Sequence, residues 1–210
     1  MKEQAVIAAM VGSQQPVETH PFAPFLPKNS KVLLLGTFPP TEEKRAMDFY
    51  YPNFQNDMWR IMGLIFAGDS DALRKGEEKA FDAGKIKALC TEKGIALGPT
   101  VLTARREKGN ASDKFLQVIE EAPLAAMLVL LPECHALAAT GEKAASIVLN
   151  QCKEPPKMPK TGETVAITLA ALPGRKLTLT RLPSTSRAYP LKLEKKKEAY
   201  GKFFKKIGIL

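Results

Sequence analysis

Apolar positions in this chain recur in two alternating rhythms, one continuous and one helical. Lys31-Val-Leu-Leu-Leu-Gly36 is a short unbroken apolar run ending in glycine, the pattern of a strand buried on both faces. From Asp57 to Phe66 the apolar residues Met58, Ile61, Met62, Ile65 and Phe66 fall at helical spacing, which predicts an amphipathic helix. Between them lies a loop of about eighteen residues, and loops that long inside a domain are usually functional.

The same reading continues downstream. Residues 70–92 are charged and helical in pattern, and Gly94-Ile-Ala-Leu-Gly98 through Leu102 reads as a second strand with its exit loop. Ser112-Asp113 is expected to cap a helix running through Glu121, and Met127 to Leu131 and Ala136 to Thr140 to supply one or two strands. Gly141-Glu-Lys143 turns into a helix from Ala144 to Asn150, and Glu154 to Gly162 is a Pro- and Lys-rich loop. Thr164 to Leu172 and Lys176 to Leu182 flank Pro173-Gly174 like two strands joined by a turn. Leu191 to Ile207 closes the chain as a helix with Tyr200, Phe203, Phe204 and Ile207 on one face. This alternation predicts an α/β fold, a three-layer α/β/α sandwich around a short, mostly parallel sheet. Ligands of such sheets bind beyond the carboxyl ends of the strands, so chemistry is expected in the loops after Leu35 and Leu182.

Composition narrows the class. The 210 residues are 45% hydrophobic and 25% charged, ordinary for a globular protein, and no shift in composition divides them. A single domain over residues 20–210 is expected, preceded by a loose arm over residues 1–19. The longest apolar runs fall well short of the roughly 20 residues that cross a bilayer. Met1 to Val11 carries Glu3 and shows no signal-peptide cleavage pattern, so a cytoplasmic, monomeric protein without a membrane partner is expected. Cys90, Cys134 and Cys152 are odd in number and widely spaced, and His20 and His135 are the only histidines, so neither a disulfide framework nor a metal site is expected. Cys134 and His135 would point to opposite faces of a strand, which argues against a nucleophile pair. Gly141-Glu-Lys143 lacks the upstream glycine of a phosphate-binding P-loop, and no cofactor is expected.

Charge is more informative when located. Eleven basic and two acidic residues lie between Arg175 and Leu210, which accounts for the whole net charge of +9. A polyanion partner and a solvated helix face with a basic C-terminus both fit this asymmetry.

The two loops beyond the strands are the most distinctive stretches. The first reads Gly36-Thr-Phe-Pro-Pro40 and then Phe49-Tyr-Tyr-Pro-Asn-Phe-Gln-Asn-Asp-Met-Trp59; the second reads Leu182-Pro-Ser-Thr-Ser-Arg-Ala-Tyr189. With His20-Pro-Phe22, Lys93-Gly-Ile-Ala96, Asn110-Ala-Ser-Asp113 and Thr140-Gly-Glu-Lys-Ala144, these occur in the order found in the uracil-DNA glycosylase superfamily. From His20 to Tyr189 the chain resembles its mismatch-specific and hypoxanthine-DNA glycosylase branches.

The resemblance implies hydrolysis of the N-glycosidic bond of a deaminated base, hypoxanthine or uracil, in a nucleotide flipped out of DNA. It implies a metal-free, monofunctional enzyme, since no motif places a lysine at the reacting carbon. Mismatch-specific relatives hold water with a polar residue two positions after the first strand's glycine, where this chain has Phe38. The hypoxanthine branch uses an asparagine of the Tyr-Tyr loop, which matches Asn56; a plain helix N-cap is the other reading of Asn56. Gly36, Thr37, Phe38, Tyr50, Tyr51 and Asn53 are the implied base pocket, with Phe38 as a stacking face. Asn53 stands where relatives often have histidine, and Pro99 where an acidic residue is common. Ser184, Thr185 and Ser186 suit phosphates, Arg187 or Tyr189 the wedge that fills the gap in the duplex, and the lysines from Lys195 to Lys206 nonspecific backbone attraction. A superfamily member that binds nucleic acid or a nucleotide without excision is the alternative that Phe38 keeps open.

Overall fold

Val32–Gly36 forms a strand because both of its faces find an apolar partner. Val32 and Leu34 join one buried cluster with Trp59, Met62, Ile86, Tyr200 and Phe204, whereas Leu33 and Leu35 join a second with Leu124, Leu128, Ala145 and Val148. A side-chain period of two therefore sorts one apolar run into two cores, one on each side of the sheet.

The computed structural model describes residues 15–107 and 113–210. In chain order the elements are β1 (Val17–Thr19), β2 (Val32–Gly36), α1 (Met58–Phe66), α2 (Ala83–Lys93), β3 (Ile95–Pro99), β4 (Val101–Arg106), β5 (Leu116–Glu121), α3 (Leu124–Val129), β6 (Ala136–Thr140), α4 (Glu142–Asn150), β7 (Thr164–Ile167), β8 (Leu177–Leu182) and α5 (Leu193–Lys206). The main sheet has the order β3-β2-β6-β8-β7, parallel except for the antiparallel edge strand β7. Helices α1, α2 and α5 cover one face and α3 and α4 the other, so the three-layer α/β/α architecture read from the alternation is the one observed. Among the described residues no helix is long and apolar enough to cross a membrane.

A second, antiparallel sheet of order β1-β4-β5 departs from the sequence reading. The chain passes from one sheet to the other at buried Thr100, whose amide and hydroxyl both donate to the Gly36 carbonyl, at 2.8 and 3.0 Å. What reads as one strand over residues 94–102 is thus two. Residues 116–121, expected to be helical, form β5, because β4 offers a ladder partner and only Leu116 is fully buried along a short, mostly solvent-facing strand. The expected cap residue Ser112 lies outside the described residues, and Asp113 opens a 3-10 turn. Val17–Thr19, the end of the expected loose arm, pairs with β4.

Two further segments depart from what the sequence pattern predicts. Met127–Leu131 was expected to be a strand, but Leu124–Val129 is a helix: Pro123 sets its entry with φ −75°, and Leu124, Met127 and Leu128 turn inward at helical spacing. Of residues 70–92 only Ala83–Lys93 is helical; Arg74 ties the preceding turn by donating to the Glu77 and Glu78 carbonyls. Asp82 caps α2 through the amides of Gly84 and Lys85, and Gly94 ends it at φ 66°.

Gly63 in α1 marks a close approach, for a Cβ there would lie 2.4 Å from the Asp69 carbonyl oxygen. Helix propensity favours alanine over glycine by about 1 kcal/mol, but a backbone oxygen cannot move aside as a side chain does. Gly63→Ala is expected to destabilise the protein by about 1–3 kcal/mol, read as a lower midpoint in urea unfolding; an increase would show that the 63–69 turn relaxes freely.

Candidate active site

The carboxyl ends of the parallel strands open into a cleft of about 1030 Å³. β2 delivers Gly36, Thr37 and Phe38 to it, β3 Pro99, β6 Thr140, and β8 the 183–190 loop. The long loop before α1 adds Tyr50, Tyr51, Asn53 and Asn56. Every residue singled out in the two loops, Ser184, Thr185, Ser186, Arg187 and Tyr189 included, borders this one space.

Its floor is built on Gly36. A Cβ at that position would come within 3.2 Å of the Tyr51 hydroxyl, so the glycine lets the tyrosine lie across the strand end. Tyr51 adopts φ 53°, rare for a bulky residue, and its hydroxyl hydrogen-bonds Thr140 Oγ1 at 3.1 Å. Thr140 in turn donates to the Leu35 carbonyl, so the strained tyrosine is held by the ends of two adjacent strands. Trp59 Nε1 donates to the Tyr50 carbonyl at 3.0 Å and fixes the neighbouring residue. Tyr50 is 5% exposed, and its hydroxyl is closed in without a described hydrogen-bond partner.

One wall is aromatic. Phe38 meets the His20 ring edge-on at a centroid distance of 5.5 Å, and the Arg106 guanidinium lies 5.3 Å over the Phe38 ring. Phe38 thus borders the cleft with one ring face covered by Arg106. Buried Arg106 also donates to Glu18 at 2.8 Å and to the Pro39 carbonyl at 2.6 Å, tying β1 to the first loop. His20 sits between Phe38 and Tyr50, with Nδ1 3.0 Å from the Phe22 carbonyl. Burial lowers its pKa from 6.5 to about 4, which keeps the ring neutral near pH 7.

Asn56 stands just ahead of the α1 cap residue Asp57, and its Oδ1 accepts the Met58 amide at 2.9 Å. Its carboxamide nitrogen has no described partner, and the residue still borders the cleft. Asn53 Oδ1 accepts the Gln55 amide in a local turn, and Arg60 donates to the Phe54 and Asn56 carbonyls, so the loop is firmly held.

On the opposite rim a buried ion pair positions the second loop. Lys196 Nζ lies 2.8 Å from Asp57 Oδ2 and donates to the Ser186 carbonyl at 2.8 Å, while the Asp57 amide donates to the Thr185 carbonyl. Tyr200 donates to the Pro183 carbonyl. Lys196 is therefore an internal fastener, which corrects the reading of the whole lysine run as phosphate-facing. Arg175, counted in the same basic segment, instead donates to the carbonyls of Leu128, Leu131, Pro132 and Cys134 at the end of α3. Lys195, Lys197, Lys202 and Lys205 remain exposed. Within the loop the Ser184 and Ser186 hydroxyls accept the amides of Ser186 and Ala188, Thr185 is buried, and Arg187 stays mostly exposed with Nε 3.6 Å from Asp57.

Two residues of the site have no assigned role in the sequence reading. His20 stood out only as part of His20-Pro-Phe22, and Asp113 only as a helix cap and as the end of Asn110-Ala-Ser-Asp113. The structure places both on the cleft; Asp113 Oδ1 accepts the Thr37 hydroxyl at 2.5 Å.

Neither a family model nor a curated protein matches the chain. Among solved structures it is similar to one from Methanosarcina acetivorans described as "a putative Uracil DNA glycosylase", with a TM-score of 0.61 and 18% identity over 92% of this chain and 99% of that one. The two share a fold along nearly their whole lengths.

Removing Lys196 would leave Asp57 buried beside the distant, exposed Arg187 alone. Lys196→Met is expected to cost about 3–5 kcal/mol in chemical denaturation, and Asp57→Asn with Lys196→Met to recover most of it; a negligible cost for the single substitution would show that the pair is idle. His20 generates a pH dependence. Its folded pKa lies below its unfolded one, so the unfolded chain binds more protons between pH 6.5 and about 4, and stability falls as pH drops through that window. His20→Gln is expected to flatten this slope, and the His20 ring to titrate near 4 by NMR; a midpoint near 6.5 would contradict the burial.

Proposed function

We propose that this protein is a DNA glycosylase that hydrolyses the N-glycosidic bond of a deaminated base, hypoxanthine or uracil, in a nucleotide flipped out of DNA. The observation that carries this reading is the convergence, at the carboxyl edge of the parallel sheet, of an aromatic wall, a half-buried carboxylate and a clamped hydroxyl-bearing loop in one cleft. The fold shared with the Methanosarcina protein and the ordered motifs of the two loops support it as well.

The reading divides the work among residues. An extruded base packs against the wall formed by His20, Phe38 and Tyr50, whose apolar surfaces favour a planar aromatic guest. Neutral His20 offers hydrogen bonding to a base edge without charge. The Ser184–Ser186 loop meets the flanking phosphates, Arg187 or Tyr189 fills the gap in the duplex, and the exposed lysines of α5 add sequence-independent attraction. Asn56, with Oδ1 engaged by the helix, has its carboxamide N–H groups to orient water by donation. Lys143, which borders the cleft, donates to the Leu116 carbonyl at 2.8 Å, in keeping with hydrolysis by water rather than a lysine adduct.

A second reading, nucleic-acid or nucleotide binding without excision, draws on Phe38 at the water-holding position and on the engagement of Asn56 Oδ1 by the Met58 amide. The discriminating measurement is release of free base from oligonucleotides carrying uracil, hypoxanthine, xanthine or a thymine mismatch, with alkaline cleavage of the abasic product. Release from uracil or hypoxanthine is expected, with DNA affinity that falls steeply as salt rises. Tight binding by folded protein with no release from any substrate would select the second reading.

A further inference from the structure

We propose that Asp113 is the general base of the reaction, taking a proton from the attacking water while the Thr37 hydroxyl holds its carboxylate in place. This inference rests on the glycosylase reading and assigns the water to a group that neither strand-end loop supplies.

A water that attacks C1′ of the sugar must give up a proton to an acceptor of adequate basicity within hydrogen-bond reach. Asn56 is a poor acceptor because its Oδ1 already receives the Met58 amide, and an amide oxygen is not a base near neutral pH. Phe38 has no polar group. Glu142 borders the cleft but is held by Arg181 Nη2 at 2.5 Å. Asp113 borders the cleft with one oxygen engaged by Thr37 and the other free of any described hydrogen bond. The residue itself is half-buried on the cleft.

The environment suits the task. Thr37 directly follows Gly36 at the end of β2, so the carboxylate is anchored to the rigid central strand although it enters from the β4–β5 connection. The charged and titratable groups that bear on it are Lys143 of α4 and the Tyr51 phenol, with Lys114 next in the chain and also on the cleft. Burial pushes the Asp113 carboxyl above the usual carboxylate value, and the Thr37 hydrogen bond and the Lys143 cation pull it back part of the way. A carboxylate made more basic in this manner is a better proton acceptor than an exposed aspartate.

In the step proposed, a water lone pair forms the C1′–O bond, and the C1′–N pair leaves with the base. The water proton passes to Asp113 and from there to solvent or to the departing base. The reaction consumes one water and yields free base and an abasic site, with no oxidant or further reactant.

The test uses the full chain and single-turnover base release, on whichever uracil or hypoxanthine oligonucleotide reacts fastest, from pH 4 to pH 9. Asp113→Asn is expected to lower the rate at least about 100-fold, to leave DNA affinity within about threefold, and to abolish the acid limb of the rate profile. Thr37→Val is expected to keep measurable activity and to shift that limb to higher pH, because it removes the hydrogen bond that favours the ionised form. Thermal unfolding adds a readout independent of activity: a carboxyl with a raised folded pKa destabilises the protein once ionised, so Asp113→Asn should raise the midpoint at pH 7. Base release by Asp113→Asn at the wild-type rate, or an unmoved acid limb in Thr37→Val, overturns the assignment and leaves the glycosylase reading standing. Absence of release by the wild type overturns both.

Discussion

The cleft exists in its observed shape because of a buried contact between Asp57 and Lys196. Asp57 stands at the start of α1, at the end of the Tyr-Tyr loop, and Lys196 lies on α5, the last helix. Their 2.8 Å contact, with the Ser186 carbonyl as a further acceptor and the Thr185 carbonyl bound by the Asp57 amide, joins both long loops at a single buried point. Removing two charges from water costs several kcal/mol per ion, which close contact and added hydrogen bonds must offset. An apolar pair could provide equal stability; the ionic pair also fixes where the Ser186 backbone sits, because its carbonyl is one of the ligands of the ammonium.

A second set of contacts holds the opposite wall. The small antiparallel sheet places Arg106 under Phe38 and against Glu18 and the Pro39 carbonyl, so the first loop leans on β1 and β4 rather than on solvent. Gly36, Tyr51 and Thr140 form the floor between these walls. The three arrangements share a logic: each ties an irregular segment to a regular strand or helix, which is how a loop acquires the precision of a scaffold. The cost is visible at Tyr51, with its positive φ, and at the unpartnered Tyr50 hydroxyl, both on the cleft.

Much of the fold was legible in the sequence because its signals are local. The strand Val32–Gly36 and the helices Met58–Phe66 and Leu193–Lys206 follow from periodicity and the size of apolar runs. The misread segments are those whose local pattern serves two structures equally. Leu116–Glu121 became a strand because β4 was there to pair with it, and Leu124–Val129 a helix because a second core needed covering between β5 and β6. Both outcomes are tertiary decisions over a weak local preference.

The site divides in the same way. Length of loop, glycine at a strand end and the clustering of Tyr, Asn, Ser and Thr pointed to the two loops that meet at the cleft, since such residues are recognisable one stretch at a time. The sequence by itself determined the periods of the strongly patterned elements, the carboxyl-edge location of the cleft and the surplus of positive charge near the C-terminus. Only the tertiary structure decided which lysine of Lys195-Lys-Lys197 turns inward to meet Asp57, 139 positions away, and that Asp113 meets Thr37 across 76. The physical reason is that a hydrogen bond or ion pair depends on a few ångströms of separation in space, and separation along the chain carries no information about that distance.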